Sequence, residues 1–233
     1  MKLSDKILLG FVGLAIAAVV AIVVALRIAT TTVADPSLGV AAFSADSIAY
    51  HGEPFTRLEV SGAWNVYMLS TDSHSVAITR REGNNAKVKV YVENGTLYLV
   101  SSTRKLATAT VTATIALPRI VSISTMGMVA DTMTGLRTDS LRIATAGGSS
   151  IVGRQCRVNH LELNLGGFSE VNMKGSVIGG AHLDTRGGYG VKLTMDGGIL
   201  SGVAAGMGGI DIFGPVGTST LQTEGLVELS YHE

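Results

Sequence analysis

From about Val121 to the C-terminus, apolar and polar residues alternate in short runs broken by a glycine or glycine pair every 19–21 residues. The segments are LRIATAGGSSIVG, LELNLGGFSEVNMKG, HLDTRGGYGVKLTMDGG and VAAGMGGIDIFG. Alternation with period two is the mark of extended strands with one buried face. A repeat near 20 residues is too long for a coiled-coil heptad and too short for a helix pair, but it suits one coil of a β-solenoid. The pattern therefore predicts an all-β fold, a short parallel β-helix or β-solenoid over residues 119–233. Leu141, Ile143, Leu161, Leu163, Leu183, Val203 and Leu221 are expected to face inward on one wall. Ile151, Val171, Val191, Leu193, Ile210, Ile212, Val227 and Leu229 are expected on the next. Gly127, Gly148, Gly167, Gly188 and Gly209 set the register, at corners that need positive φ or close backbone approach. A single coil cannot bury its apolar face alone; the stack does so.

Residues 43–118 form the N-terminal β region. FTRLEVSGAWNVYMLS and SVAITR alternate, and KVKVYVENGTLYLVSS reads as a hairpin turning at Asn94-Gly95, a pair suited to a type I′ loop. VTATIALP is a further strand, stopped by Pro118. Ahead of this region, residues 29–42 read as a linker. Residues 7–26, ILLGFVGLAIAAVVAIVVAL, carry no charge and span roughly 30 Å as a helix, the thickness of a bilayer core. One N-terminal transmembrane helix over 7–28 is expected, contacting membrane lipid, with a cytoplasmic tail of residues 1–6. A cleaved signal peptide, cut after Thr32-Val33-Ala34, is the competing reading. Lys2 and Lys6 outweigh Arg27, so the positive-inside rule places the N-terminus in the cytoplasm. The rest would then lie in the periplasm or outside a bacterial cytoplasmic membrane.

Composition narrows the chemistry. Eighteen basic and eighteen acidic residues leave no positive excess to neutralise phosphates, which argues against nucleic acid as a partner. Cys156 stands alone, so no intramolecular disulfide forms; it reads as a small buried or half-buried residue. No cofactor or metal is implied. His160 and His182 are expected in an exposed ladder on neighbouring coils, without the further ligands that zinc requires. The glycine pairs have no Lys-Ser/Thr after them and are not phosphate loops. Arg142, Glu162 and Asp184 each follow an inward leucine, so they are expected to form a charge ladder, the first two attracting and the last two repelling. Phe168 and Tyr189 follow glycine pairs on successive coils. Outward, they would make an aromatic stripe for a sugar or protein; inward, they would be core. The candidate recognition surface is thus Arg142, Glu162, Asp184, Phe168 and Tyr189, with no catalytic residue assigned.

The order of these features resembles a known family, the putative auto-transporter adhesin head, or GIN, domain of bacterial envelope proteins. The resemblance rests on FTRLEVSGAWNVYMLS, on SVAITR followed by VKVYVENGTLYLVSS, on VTATIALP and on the glycine-paired repeats, and covers roughly residues 43–231. It implies a right-handed parallel β-helix-like solenoid behind an export signal or anchor, with no catalytic residue set. The coils here read AGGSS, LGGFSE, RGGYG and MGGID, departing from the family's Ser-Gly-Ser/Ala-Gly-Asp/Asn corners.

The resulting expectation is a non-catalytic binding, adhesion or envelope-scaffold module. It would self-associate through solenoid ends or the membrane helix and meet an envelope protein or glycan. The alternative is a polysaccharide lyase or glycosidase-like enzyme of the envelope, needing carboxylates such as Glu162, Asp184 and Asp211 gathered on one face.

Overall fold

The computed structural model describes residues 48–50, 53–80, 86–102 and 111–232. The chain divides into Met1–Phe43 and Ser44–Glu233, and all described residues lie in the second unit. The expected cytoplasmic tail, transmembrane helix and linker fall outside the described residues.

Among the described residues twelve strands form one continuous sheet wound into a β-solenoid of about six turns, with about 20 residues per coil. They are β1 (Ile48–Tyr50), β2 (Arg57–Ser70), β3 (Ser75–Arg80), β4 (Lys87–Glu93), β5 (Thr96–Ser102) and β6 (Val111–Leu117). Then follow β7 (Ser122–Thr134), β8 (Arg137–Leu165), β9 (Phe168–Thr185), β10 (Gly188–Met195), β11 (Ile199–Phe213) and β12 (Thr218–His232). β2 lies parallel on β7, β7 on β8, β8 on β9, and the stacking continues through β10 and β11 to β12. Successive rungs thus sit about 4.8 Å apart.

The start is built differently. β5 and β6 each add to β2 in parallel, and then the direction reverses: β4 folds back on β5, β3 on β6 and β1 on β3, all antiparallel. Asn94 and Gly95 turn the β4–β5 hairpin, with φ of 50° and 71°. Positive φ at both central residues is what a two-residue type I′ loop demands. β6 ends at Leu117, directly before Pro118.

The core runs along the stack. Trp64, Val66 and Met68 of β2 are buried, as are Ile123 and Met133 of β7. Leu141, Ile143, Ile151, Leu161 and Leu163 of β8 continue it, then Val171, Leu183, Val191, Leu193, Ile210 and Ile212. Cys156 is buried as a free thiol. Val203 departs from expectation. Leu183 pairs with Gly202, so that inward slot has no side chain, and Val203 falls beside Asp184 on the outward column. Ala204 is the buried residue there. Leu221, Val227 and Leu229 are only half-buried, because β12 pairs with β11 alone among the described residues.

Candidate functional site

One corner of the solenoid organises both its interior and its surface. Gly62, Gly127, Gly147, Gly167, Gly187, Gly206 and Gly225 occupy it, one per turn, all with positive φ. The ladders place them in a single column, Gly62 beside Gly127, Gly127 beside Gly147 and Gly206 beside Gly225. A Cβ on any of them from Gly127 onward would collide with the carbonyl oxygen of the glycine one turn earlier. Glycine is required twice over, by conformation and by space.

This column corrects the sequence register. Gly127 and Gly167 lie in it, but Gly148 and Gly188 are one residue past it and Gly209 three. None of those three has positive φ. A Cβ on Gly148 or Gly209 would meet no backbone closer than 4.0 Å, and on Gly188 it would meet the Phe168 ring. Within each glycine pair, the residue facing the earlier coil's carbonyl is the constrained one.

Inside the corner, hydroxyls stitch successive turns together. Thr125 bonds Ser149 at 2.8 Å and Thr145 bonds Ser169 at 2.7 Å, all four buried. Each pair joins the residue two before the corner glycine to the residue two after the next one. Continuing the pattern, Leu165 faces the slot of Tyr189, and Thr185 that of Gly208, which offers no hydroxyl. The Thr185 Oγ1 and Tyr189 hydroxyl are accordingly buried without partners. The Tyr189 ring lies over Gly208, where a Cβ would meet it at 2.8 Å.

Outside the corner, the residues one past the column are Met128, Gly148, Phe168, Gly188, Met207 and Leu226. Met128, Phe168, Met207 and Leu226 are exposed, Phe168 at 46% and Leu226 at 71%, and Met126 on the other flank of Gly127 joins them. They form an apolar ridge about 24 Å long at the rung spacing. Phe168 leans across Gly188, which extends the ridge toward Met207. Patches of this kind mark contact surfaces. The sequence signal for it, a large apolar residue directly after Gly127, Gly167, Gly206 and Gly225, becomes readable only when the correct glycine is chosen.

The other predicted surface residues separate. Phe168 and Tyr189 do not share a slot: Phe168 pairs with Gly188 and Tyr189 with Ser169, so Phe168 points out while Tyr189 is 7% exposed in the core. Arg142 does meet Glu162, at 3.5 Å. Asp184 is not the next member of that column. Glu162 pairs with His182, and Asp184 pairs with Asn164 and makes an ion pair with Arg186 at 3.4 Å. The expected repulsion is absent because Glu162 and Asp184 stand two positions apart along the strands. His160 pairs with Gly180, so the two histidines do not form a ladder, and His182 instead meets Ser201 at 3.1 Å.

Two further acidic residues carry shifted pKa values. Asp131 is 1% exposed, between Val66 and Ile151 in the apolar column, and neither carboxylate oxygen has a partner. Burial pushes its carboxyl up from 3.8 to about 7. Asp211, on the surface, is held below its ordinary value, first by the hydrogen bond from His232 and then by the Lys192 charge. His232 stacks on Phe213, whose ring also carries the Lys174 ammonium at 3.9 Å. Among the described residues no three His, Cys, Asp or Glu side chains gather in a way that could hold a metal ion.

The family model described as "putative auto-transporter adhesin, head GIN domain" matches residues 54–188. The crystal structure of a putative adhesin from Bacteroides fragilis has the same fold, with a TM-score of 0.65 at 16% identity, covering 82% of this chain and 98% of that one. A putative lipid binding protein from Parabacteroides distasonis aligns with a TM-score of 0.49 at 12% identity, over 80% of this chain and 96% of its own. A putative adhesin from Parabacteroides merdae aligns at 0.40 and 12% identity, over 81% and 96%. No curated protein matches the chain.

Proposed function

We propose a function for a chain that belongs to the putative auto-transporter adhesin, head GIN domain family. It is a non-catalytic adhesion module whose β-solenoid is tethered to the bacterial cytoplasmic membrane, stands outside the cytoplasm and self-associates. The observation that carries this reading is the exposed ridge of Met126, Met128, Phe168, Met207 and Leu226 along the glycine corner. Methionine is flexible and polarisable, so such a surface adapts to an envelope protein or to the apolar face of a glycan, with Phe168 as the rigid anchor. The tether rests on the uncharged run at 7–26 and its lysine flank.

The carbohydrate-active alternative finds no comparable support. Glu162, Asp184 and Asp211 stand in three different outward columns, and Asp131, whose carboxyl is poised near neutrality, is sealed in the core. The test uses bacteria expressing the full chain. Protease added to spheroplasts should digest the domain, and in untreated samples the chain should stay with the membrane after alkaline extraction. Cells should aggregate or attach to glycan- or protein-coated surfaces, and Phe168→Asp with Met128→Asp should abolish attachment without changing expression. Attachment unaffected by both substitutions would reject the ridge; protection from protease would reject the placement.

A further inference from the structure

The last coil ends the solenoid on an open edge. Among the described residues β12 pairs with β11 alone, from Ile199 beside Thr218 to Phe213 beside His232, without a bulge. Native free edges are blunted by lysine, proline, a bulge or an inward charge. β12, TSTLQTEGLVELSYH, has none of these, since Glu224 and Glu228 stand outward beside Ala205 and Gly209. Its inward residues continue buried columns yet are themselves uncovered: Leu221, Val227 and Leu229 are half-buried and Tyr231 is exposed.

The peptide groups show which residues face the open side. The Gly214 N–H donates to the His232 carbonyl at 3.1 Å, so His232 faces β11. Peptide groups alternate sides along a strand, and the ladder passes Gly225 without a shift. Every second residue from Tyr231 back to Ser219 therefore directs its N–H and C=O away from β11. These are the same residues whose side chains face inward.

Gly225 lies at the centre of β12. Thr218–Glu224 precede it and Leu226–His232 follow it, stretches of equal length. A two-fold axis through this corner, perpendicular to the stack, lays the first stretch of one copy antiparallel on the second stretch of another. Corner then sits on corner, and both walls continue into the second copy. Inward, Leu221 falls opposite Leu229, Thr223 opposite Val227 and Ser219 opposite Tyr231. Each of these pairs joins two residues with peptide groups on the open side, which is the hydrogen-bonded pairing of an antiparallel ladder. Outward, the Gln222 amide meets the Glu228 carboxylate, and no like charges stand directly opposite. The Tyr231 hydroxyl already spans the interior to Ser219 at 3.0 Å. Two such rings would cross the mouth in opposite directions on adjacent rungs, at aromatic stacking distance.

We infer that two copies join tail to tail, β12 against β12, about a two-fold axis through Gly225. The inference rests on the self-association proposed above and names its surface. The contact is isologous, so it closes as a dimer.

The test uses the full chain in detergent. Thr220→Cys and Ser230→Cys, each keeping the buried Cys156, would face each other across the axis at a non-hydrogen-bonded pair, within reach of a disulfide. Oxidised as a mixture, the two variants should cross-link into a dimer; oxidised separately, each should stay uncross-linked like the wild type. Thr223→Pro removes an N–H that faces away from β11, at two symmetry-related places, and should weaken dimerisation roughly thirty-fold. No cross-link in the mixture, or cross-links in either variant alone, would overturn the pairing. So would a Thr223→Pro protein that dimerises like the wild type, and should that variant fail to fold, the cysteine pair still decides. Light scattering of the wild type separates two kinds of failure. Oligomers without the mixed cross-link would overturn this surface and leave self-association standing on another, whereas a monomer at all concentrations would remove both.

Discussion

The glycine corner and the far return of each coil follow different rules. At the corner every turn spends one glycine with positive φ, and the carbonyl of one fits the missing side chain of the next. Across the return the ladder loosens. β8 and β9 shift register between Val152 and Arg157, and β9 and β10 shift between Leu193 and Met195. Gln155, with φ of 54°, stands within the first of these shifts. A bulge places two residues opposite one and absorbs an extra residue locally. The return can therefore change length while the corner cannot.

The sharpest way to break this contrast is Gly167→Val. Its Cβ has no room beside the Gly147 carbonyl, and φ of 79° is hostile to a β-branched residue. A loss exceeding about 4 kcal/mol is expected, read as failure to give a cooperative far-ultraviolet dichroism melt.

Next in size is Asp131, on the straight wall between corner and return. Its folded carboxyl titrates near 7 against an ordinary 3.8. From pH 4 to 7 the unfolded chain ionises while the folded one keeps its proton, so stability falls across that window and levels off above it. The fall is on the order of a few kcal/mol at about 1.4 kcal/mol per pH unit. Urea midpoints of the wild type should drop between about pH 4.5 and about pH 7.5, and those of Asp131→Val should not.

The hydroxyl stitches give a smaller, two-signed effect. Ser149→Ala strands the buried Thr125 hydroxyl and should cost about 1–3 kcal/mol, whereas Thr185→Val removes a group that already lacks a partner and should be neutral or stabilising. Smallest of all is Gly209→Ala, with open space for its Cβ and no positive φ. Its melting curve should overlay the wild type within about 0.5 kcal/mol.

The alternation and the glycine spacing made the solenoid legible in the sequence, because period two and a 20-residue repeat leave few other solutions. The asparagine-glycine hairpin was equally plain. Register was the hidden part. A glycine pair offers two candidates for one corner, and only the carbonyl of the preceding turn selects between Gly147 and Gly148 or Gly187 and Gly188. That single-residue uncertainty moved Tyr189 beside Phe168 and so concealed the ridge, since one step along a strand exchanges inside for outside. Asp184 was misplaced for a related reason, two steps along the coil. The buried hydroxyls were the available guide: Thr125 and Thr145, two before the glycine, and Ser149 and Ser169, two after it, fix the true column.

A corner that repeats the same contact at every turn has a consequence for how such molecules change over generations. Gain or loss of one whole coil leaves each remaining neighbour relation intact, since every turn touches only the turns beside it. The length of the solenoid can thus be adjusted by counting coils, while the outward residue next to each corner glycine stands clear of the carbonyl contact.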